Sequence, residues 1–230
     1  MYTNRIISSL AMAVLAGTIA CAGNGDDNGA ALSSDTQKFS YAIGLEIGAS
    51  LQSIQESLDL EALIRGIRDT LGDRSVRLTA EESFEVRQRV FAQLHQEESA
   101  KNLREQNEFL ARNARADGVI STSSGLQYKV ITEGAGTRPT MADQVVVHYR
   151  GTLLDGTEFD SSYRRGEPST FPLESVIDGW AEVLQVMQVG STYRVWIPSH
   201  LAYGEEGAGQ AIGPNELLIF DIKLLGVVGQ

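Results

Sequence analysis

One cysteine occurs in 230 residues, and none of the five prolines precedes Pro139. A lone thiol, Cys21, excludes an internal disulfide, so stability rests on packing. The three histidines, His95, His148 and His200, have no metal-ligand spacing with one another, and Cys21 precedes the folded region; no metal site is expected. His148 alternates with Val147 and Tyr149 as a sheet histidine does. No P-loop, dinucleotide fingerprint or G-x-S-x-G elbow is present, so no cofactor cradle or acyl-transfer nucleophile is expected. Basic charge is scarce too. Without residues 1–20, 18 basic residues stand against 30 acidic ones, a net charge of −12. Such a surface repels phosphate backbones and excludes nucleic acid as a natural partner.

Long apolar runs are also missing. The run from Ile6 to Ala20, preceded by Arg5, is too short to span a bilayer comfortably and reads as a signal sequence, residues 1–20. Thr18-Ile19-Ala20-Cys21 resembles a bacterial lipobox, which implies lipidation of Cys21, with plain secretion as the alternative. The resemblance implies an exported, periplasmic protein of a Gram-negative bacterium. Ala22 after the cysteine points to outer-membrane anchoring, with membrane contact only through the lipid. Residues 21–33, with GNGDDNGA at 23–30, form a polar tether that needs no fold.

What remains is an ordinary globular composition, 42% hydrophobic and 21% charged. It splits in two. Between Gly72 and Gly118 there is neither glycine nor proline, whereas every proline lies beyond. Residues 34–118 read as three helices. Ser34 with Gln37, and Thr79 with Glu82, form capping boxes, and Asp59 caps the helix between them. The third helix is expected over about 79–116, stopped by Gly118, with a length of roughly 55 Å. Its middle, QEESAKNLREQNE at 96–108, is polar on nearly every face and is expected to be a solvated rod. The first two helices carry apolar stripes too wide for an isolated three-helix unit, which predicts a homodimer through residues 35 to about 95.

From Leu126 the period becomes that of strands: LQYKVIT, QVVVHYRGTLL, STYRVWIPS and ELLIFDIKLLG, bounded by Gly, Pro, Asp and Ser. WAEVLQVM, from Trp180, is one short helix, with Asp178-Gly179 as its start signal. The expected fold class is α+β: an all-α N-terminal domain with a long connecting helix, then, over 119–230, a curved antiparallel sheet wrapped around a short helix.

Within the β-rich half, aromatic and aliphatic residues stand beside turns. They occur in VHYRG (Tyr149), EFDSS (Phe159, Asp160), STF (Phe171), VIDGW (Val176, Ile177, Trp180), AYG (Tyr203), AIGP (Ile212) and IFD (Phe220). In this order the segment from about Leu126 to Leu225 closely resembles the FK506-binding-protein (FKBP) type of peptidyl-prolyl cis–trans isomerase. SYAIGLEIGASL, the long helix and NEFLARNARADGVISTSSGLQYKVI resemble the bacterial macrophage-infectivity-potentiator and FkpA branch. There an N-terminal helical domain forms a V-shaped dimer.

The resemblance implies an enzyme that accelerates X-Pro isomerisation during folding of exported proteins. Trp180 would be the pocket floor, and Tyr149, Phe159, Phe171, Val176, Ile177 and Phe220 its walls, with Ile212 also at the substrate. Tyr203 and the Ile177 N–H would bond substrate carbonyls, and Asp160, held by Tyr149 and Arg165, would orient the twisted group. Partners would be unfolded or proline-containing polypeptides and, as a ligand, a macrolide of the FK506 or rapamycin type. The sequence departs from relatives at Ser169, where many have another pocket aromatic, and at Ala208 and Gly213 in the 204–214 flap. A holdase, in which the dimer cradle binds unfolded chains and the pocket is secondary, is the alternative function.

Overall fold

The computed structural model describes residues 31–72 and 75–229; the expected signal segment, Cys21 and most of the tether lie outside the described residues. The chain divides into two compact units, one through Val76 and one from Arg77 onward.

The first unit is helical. α1 (Asp35–Leu51) opens on the expected capping box, with Ser34 Oγ accepting the Gln37 N–H and Gln37 Oε1 accepting the Ser34 N–H, both at 3.2 Å. A 3-10 stretch, Gln52–Ser57, leads to α2 (Leu60–Leu71), whose first turn is capped by Asp59 Oδ1 on the Ala62 N–H at 2.9 Å. α1 buries no residue at all, and Phe39, Tyr41 and Leu45 are 67%, 57% and 57% exposed. An apolar cleft of about 630 Å³ runs along the unit, lined by Leu45, Ile47, Leu51, Leu63 and Ile67 among others.

The second unit begins with α3 (Ala80–Asn113), 34 residues or about 51 Å. Its capping box is Thr79–Glu82. The regular helix ends at Asn113, short of the expected limit near 116. Tight bonds from Arg115 to Arg112 and from Ala116 to Asn113 take over, and Gly118 at φ 75° completes the reversal. The solvated-rod expectation fails on one face. Asn102 and Gln106 are 9% and 3% exposed. Apolar periodicity is blind to such a dock, because side-chain amides rather than hydrocarbon fill the contact and satisfy backbone groups opposite.

Seven strands follow in one antiparallel sheet: β1 (Val119–Ser121), β2 (Gln127–Thr132), β3 (Gln144–Thr152), β4 (Glu158–Ser161), β5 (Ser169–Pro172), β6 (Thr192–Ile197) and β7 (Leu218–Val228). The order is β1-β2-β6-β7-β3-β4, with β5 also pairing β3. Register shifts at Val130/Thr132, Val146/Val147 and Gly151/Thr152 bend the strands. β3 alternates cleanly, burying Val145, Val147 and Tyr149. α5 (Asp178–Val186) packs Trp180, Val183 and Leu184 into the same core as Val195, Ile222 and Leu224.

α5 starts two residues earlier than the Trp180 start read from the sequence. Ile177, with no side-chain cap, is its N-cap, and Gly179 is inside the first turn. Glycine is needed there for approach rather than initiation: a Cβ on Gly179 would lie 2.4 Å from Ile197 Cγ2. Among the described residues no helix is long and apolar enough to cross a membrane.

Candidate active site

The ring cluster starts from one glycine. Gly151 on β3 pairs with Asp160 on β4 and Phe220 on β7. A Cβ at Gly151 would stand 2.6 Å from the Phe159 ring and 2.8 Å from Phe220, so only glycine lets these rings meet over the strand. They meet edge to face at 5.5 Å. Trp180, carried by α5, is the hub beneath. Its ring makes near-perpendicular contacts with Tyr149 at 5.1 Å, Phe220 at 5.2 Å and Phe171 at 5.7 Å. Edge-to-face packing suits the ring quadrupoles and holds the walls rigid.

These rings enclose a cavity of about 310 Å³. It brings together Tyr149, Phe159, Asp160, Phe171, Val176, Ile177, Trp180, Tyr203 and Phe220, all singled out in the sequence, with Ser175 as an unforeseen tenth. Ile212 is not brought in. It is 8% exposed within the core cluster, and its backbone pairs with Ala208 across a small hairpin. Arg165 is not a wall either; it reaches the cavity only through Asp160 and Tyr149. Trp180 Nε1 is buried with no hydrogen-bond partner among the described residues. The Ile177 N–H, at the start of α5, bonds to no described group.

Asp160 is the one carboxylate in the wall. Its oxygens accept from the Tyr149 hydroxyl, from Arg165 Nη1 and, at 2.7 Å, from the Ser161 N–H. Arg165 Nη2 donates to Tyr149 Oη at 2.7 Å, and the guanidinium stands 5.4 Å from that ring's centre. Burial raises the Asp160 pKa, but the bonds from Tyr149 and Arg165, the Arg165 charge and the Ser161 N–H outweigh it and hold the carboxyl below its ordinary range. Burial, with Asp160 alongside, pushes the Tyr149 hydroxyl up, so it stays a donor. The group is a fixed anion, unsuited to giving up or taking a proton near neutrality.

The local chain explains how Arg165 gets there. Ser161 Oγ caps α4 (Ser162–Arg165), and Gly166 at φ 81° closes it, so one helical turn swings Arg165 back over Asp160. Ser162, fully buried, accepts the Tyr149 N–H at 2.8 Å and lies 3.0 Å from His148 Nδ1, which latches that turn to β3. Ser169 answers the departure noted in the sequence: its Oγ accepts from Arg165 Nη2 at 3.0 Å, so the small residue anchors the arginine where a ring was expected.

An apolar cage with one immobilised anion, two uncommitted groups at its edge (the Ile177 N–H and exposed Tyr203) and no paired acid and base suits a reaction that breaks no covalent bond. The comparisons agree. Residues 136–225 match the FKBP-type peptidyl-prolyl cis-trans isomerase family, and residues 36–130 match the domain amino terminal to FKBP-type peptidyl-prolyl isomerase. The FKBP-type isomerase FkpA of Aeromonas hydrophila is 45% identical over 205 residues, covering 83% of this chain and 76% of that protein. The outer membrane protein MIP of Legionella longbeachae is 39% identical, over 85% of this chain and 87% of its own. The crystal structure of FkpA from Escherichia coli superposes with a TM-score of 0.63 at 37% identity, over 86% of this chain and 99% of that one. The cage and the relatives lead to one conclusion: the chain belongs to the FKBP-type peptidyl-prolyl cis-trans isomerases, in the FkpA and Mip branch.

Proposed function

We propose that the cavity over Trp180 is where the isomerase takes up the prolyl ring of exported, incompletely folded polypeptides. The observation that carries this is the cage of rings closing on Trp180, with Asp160 fixed in its wall.

Rotation about an X-Pro bond faces a barrier of about 20 kcal/mol and takes tens of seconds unaided. Resonance makes the planar amide more charge-separated than the twisted one, so a dry apolar cage disfavours the ground state relative to the transition state. The Ile177 N–H and the Tyr203 hydroxyl hold the flanking carbonyls. Asp160 orients the twisted group as a permanent charge, and Arg165 and Tyr149 keep it aimed. Phe159, Phe171, Val176 and Phe220 exclude water. Ile212, buried and paired with Ala208, shapes the flap beside the cavity. The same cage would take the cyclic part of a macrolide ligand.

The exposed faces of α1 and α2 and the cleft between them support a homodimer through the N-terminal unit, since patches this apolar seldom face water. The name of the Legionella longbeachae relative supports an envelope location, and lipidation at Cys21 would supply the anchor. The test is refolding of a protein limited by proline isomerisation, together with a short prolyl-peptide assay. The full chain accelerates both, and Asp160→Ala combined with Trp180→Leu removes the acceleration. Unchanged rates in that double variant would sink the assignment of the site.

A further inference from the structure

Ser99, Asn102 and Gln106 lie in the stretch of α3 whose polarity reads as solvation, and nothing in the cavity uses them directly. Spaced three and four apart, they share one helix face. Gln106 Oε1 accepts the Ser199 N–H at 2.7 Å, and Asn102 Nδ2 donates to the Pro214 carbonyl at 2.9 Å. Ser99 Oγ accepts from Asn215 Nδ2 at 2.8 Å. Asn215, at φ 55°, in turn accepts from Ser199 Oγ at 3.2 Å through Oδ1. One row of the helix therefore grips both feet of the 199–215 segment.

Between the feet the segment is braced on itself. The Gly204 N–H bonds to the Ser199 carbonyl at 2.9 Å, and the Asn215 N–H to the Gly204 carbonyl at 2.8 Å. Tyr203, directly before Gly204, lines the cavity. The approach is close: a Cβ on Gly213 would come within 3.0 Å of Glu98 Oε1. Two amides buried in such a contact orient strongly, because each loses its water and has few other partners.

We infer that the Ser99–Asn102–Gln106 row positions the Tyr203 loop, so that turnover in the β-rich half depends on the long helix. This rests on the reading of the cavity as the prolyl site. The row touches no substrate; it acts through the loop.

The test uses the full chain with a short prolyl peptide, alongside amide exchange by NMR. Asn102→Met combined with Gln106→Met keeps the helix and removes both ties. Its kcat/KM is expected to fall about tenfold, mostly in kcat, as for a misplaced positioning group. The amides of Gly204 and Asn215 are expected to exchange faster, while those of β6 and β7 do not change. Ser99→Ala, which favours the helix and removes one tie, is expected to give a two- to threefold loss, and it carries the test if the double variant does not fold. Activity within error of the parent overturns the inference, and so does lost activity with unaltered loop exchange. Tyr203→Phe separates the two readings. If it matches the parent while the helix variants lose activity, the hydroxyl role of Tyr203 fails and the row acts by placing the Tyr203 ring in the wall.

Discussion

At the scale of one residue, Asp160 is held ionised by a half-buried network of bonds. Its folded pKa lies below the unfolded value of about 3.9. Its ionisation therefore stabilises the fold fully above that value, and the contribution is lost as pH falls through the lower folded pKa. The kcat/KM profile on a prolyl peptide should be flat near neutrality and decline only below about pH 4. Arg165→Ala removes one of the bonds, and the charge, that oppose burial, so it should move that acid limb upward; a limb that stays put would remove Arg165 from the account. Gly151→Ala tests the cage itself. The new methyl meets two rings, and overpacking of this kind costs about 1–3 kcal/mol, measurable by urea unfolding, with weaker peptide turnover. The rings were legible in the sequence because the order of their motifs resembles that of a known family. Ser162 and Ser169 were not, since a serine means nothing until another element brings His148 or Arg165 within bonding distance.

At the scale of elements, helices and strands were readable where their signals are local. Both capping boxes and the Asp59 cap form between residues three apart, and no tertiary contact is needed to make them. The start of α5 was misread because Gly179 answers to Ile197, a residue on β6. The flap offers a sharper case. Gly207 has φ 66°, and a Cβ there would fall 2.3 Å from the Ile212 carbonyl oxygen, with no flexible side chain to give way. Gly207→Ala should open the Ala208–Ile212 hairpin and lower kcat/KM several-fold, while β6 and β7 keep their amide protection. Wild-type turnover in that variant would mean that the flap's shape is irrelevant to the reaction.

For the whole molecule, the first unit leaves its apolar faces open. Leu63→Asp with Ile64→Glu puts charge along the cleft and should convert a dimer to monomers by light scattering, while turnover of a short peptide is kept. A monomeric parent chain would refute the dimer outright. Cys21→Ser should abolish incorporation of labelled fatty acid and release the protein from membranes; label retained in that variant would rule out lipidation at this thiol. By itself the sequence determined the two-part plan, the capped helices and the strand inventory, because each is written in spacing along the chain; the rings of the pocket were marked by the resemblance to a family. Only the tertiary structure decided that Ser169 anchors Arg165, that Ile212 is buried in the core cluster and that the polar middle of α3 is docked. Those outcomes depend on which polar group meets which across space, and hydrogen-bond complementarity between distant segments leaves no periodic trace in one strand of residues.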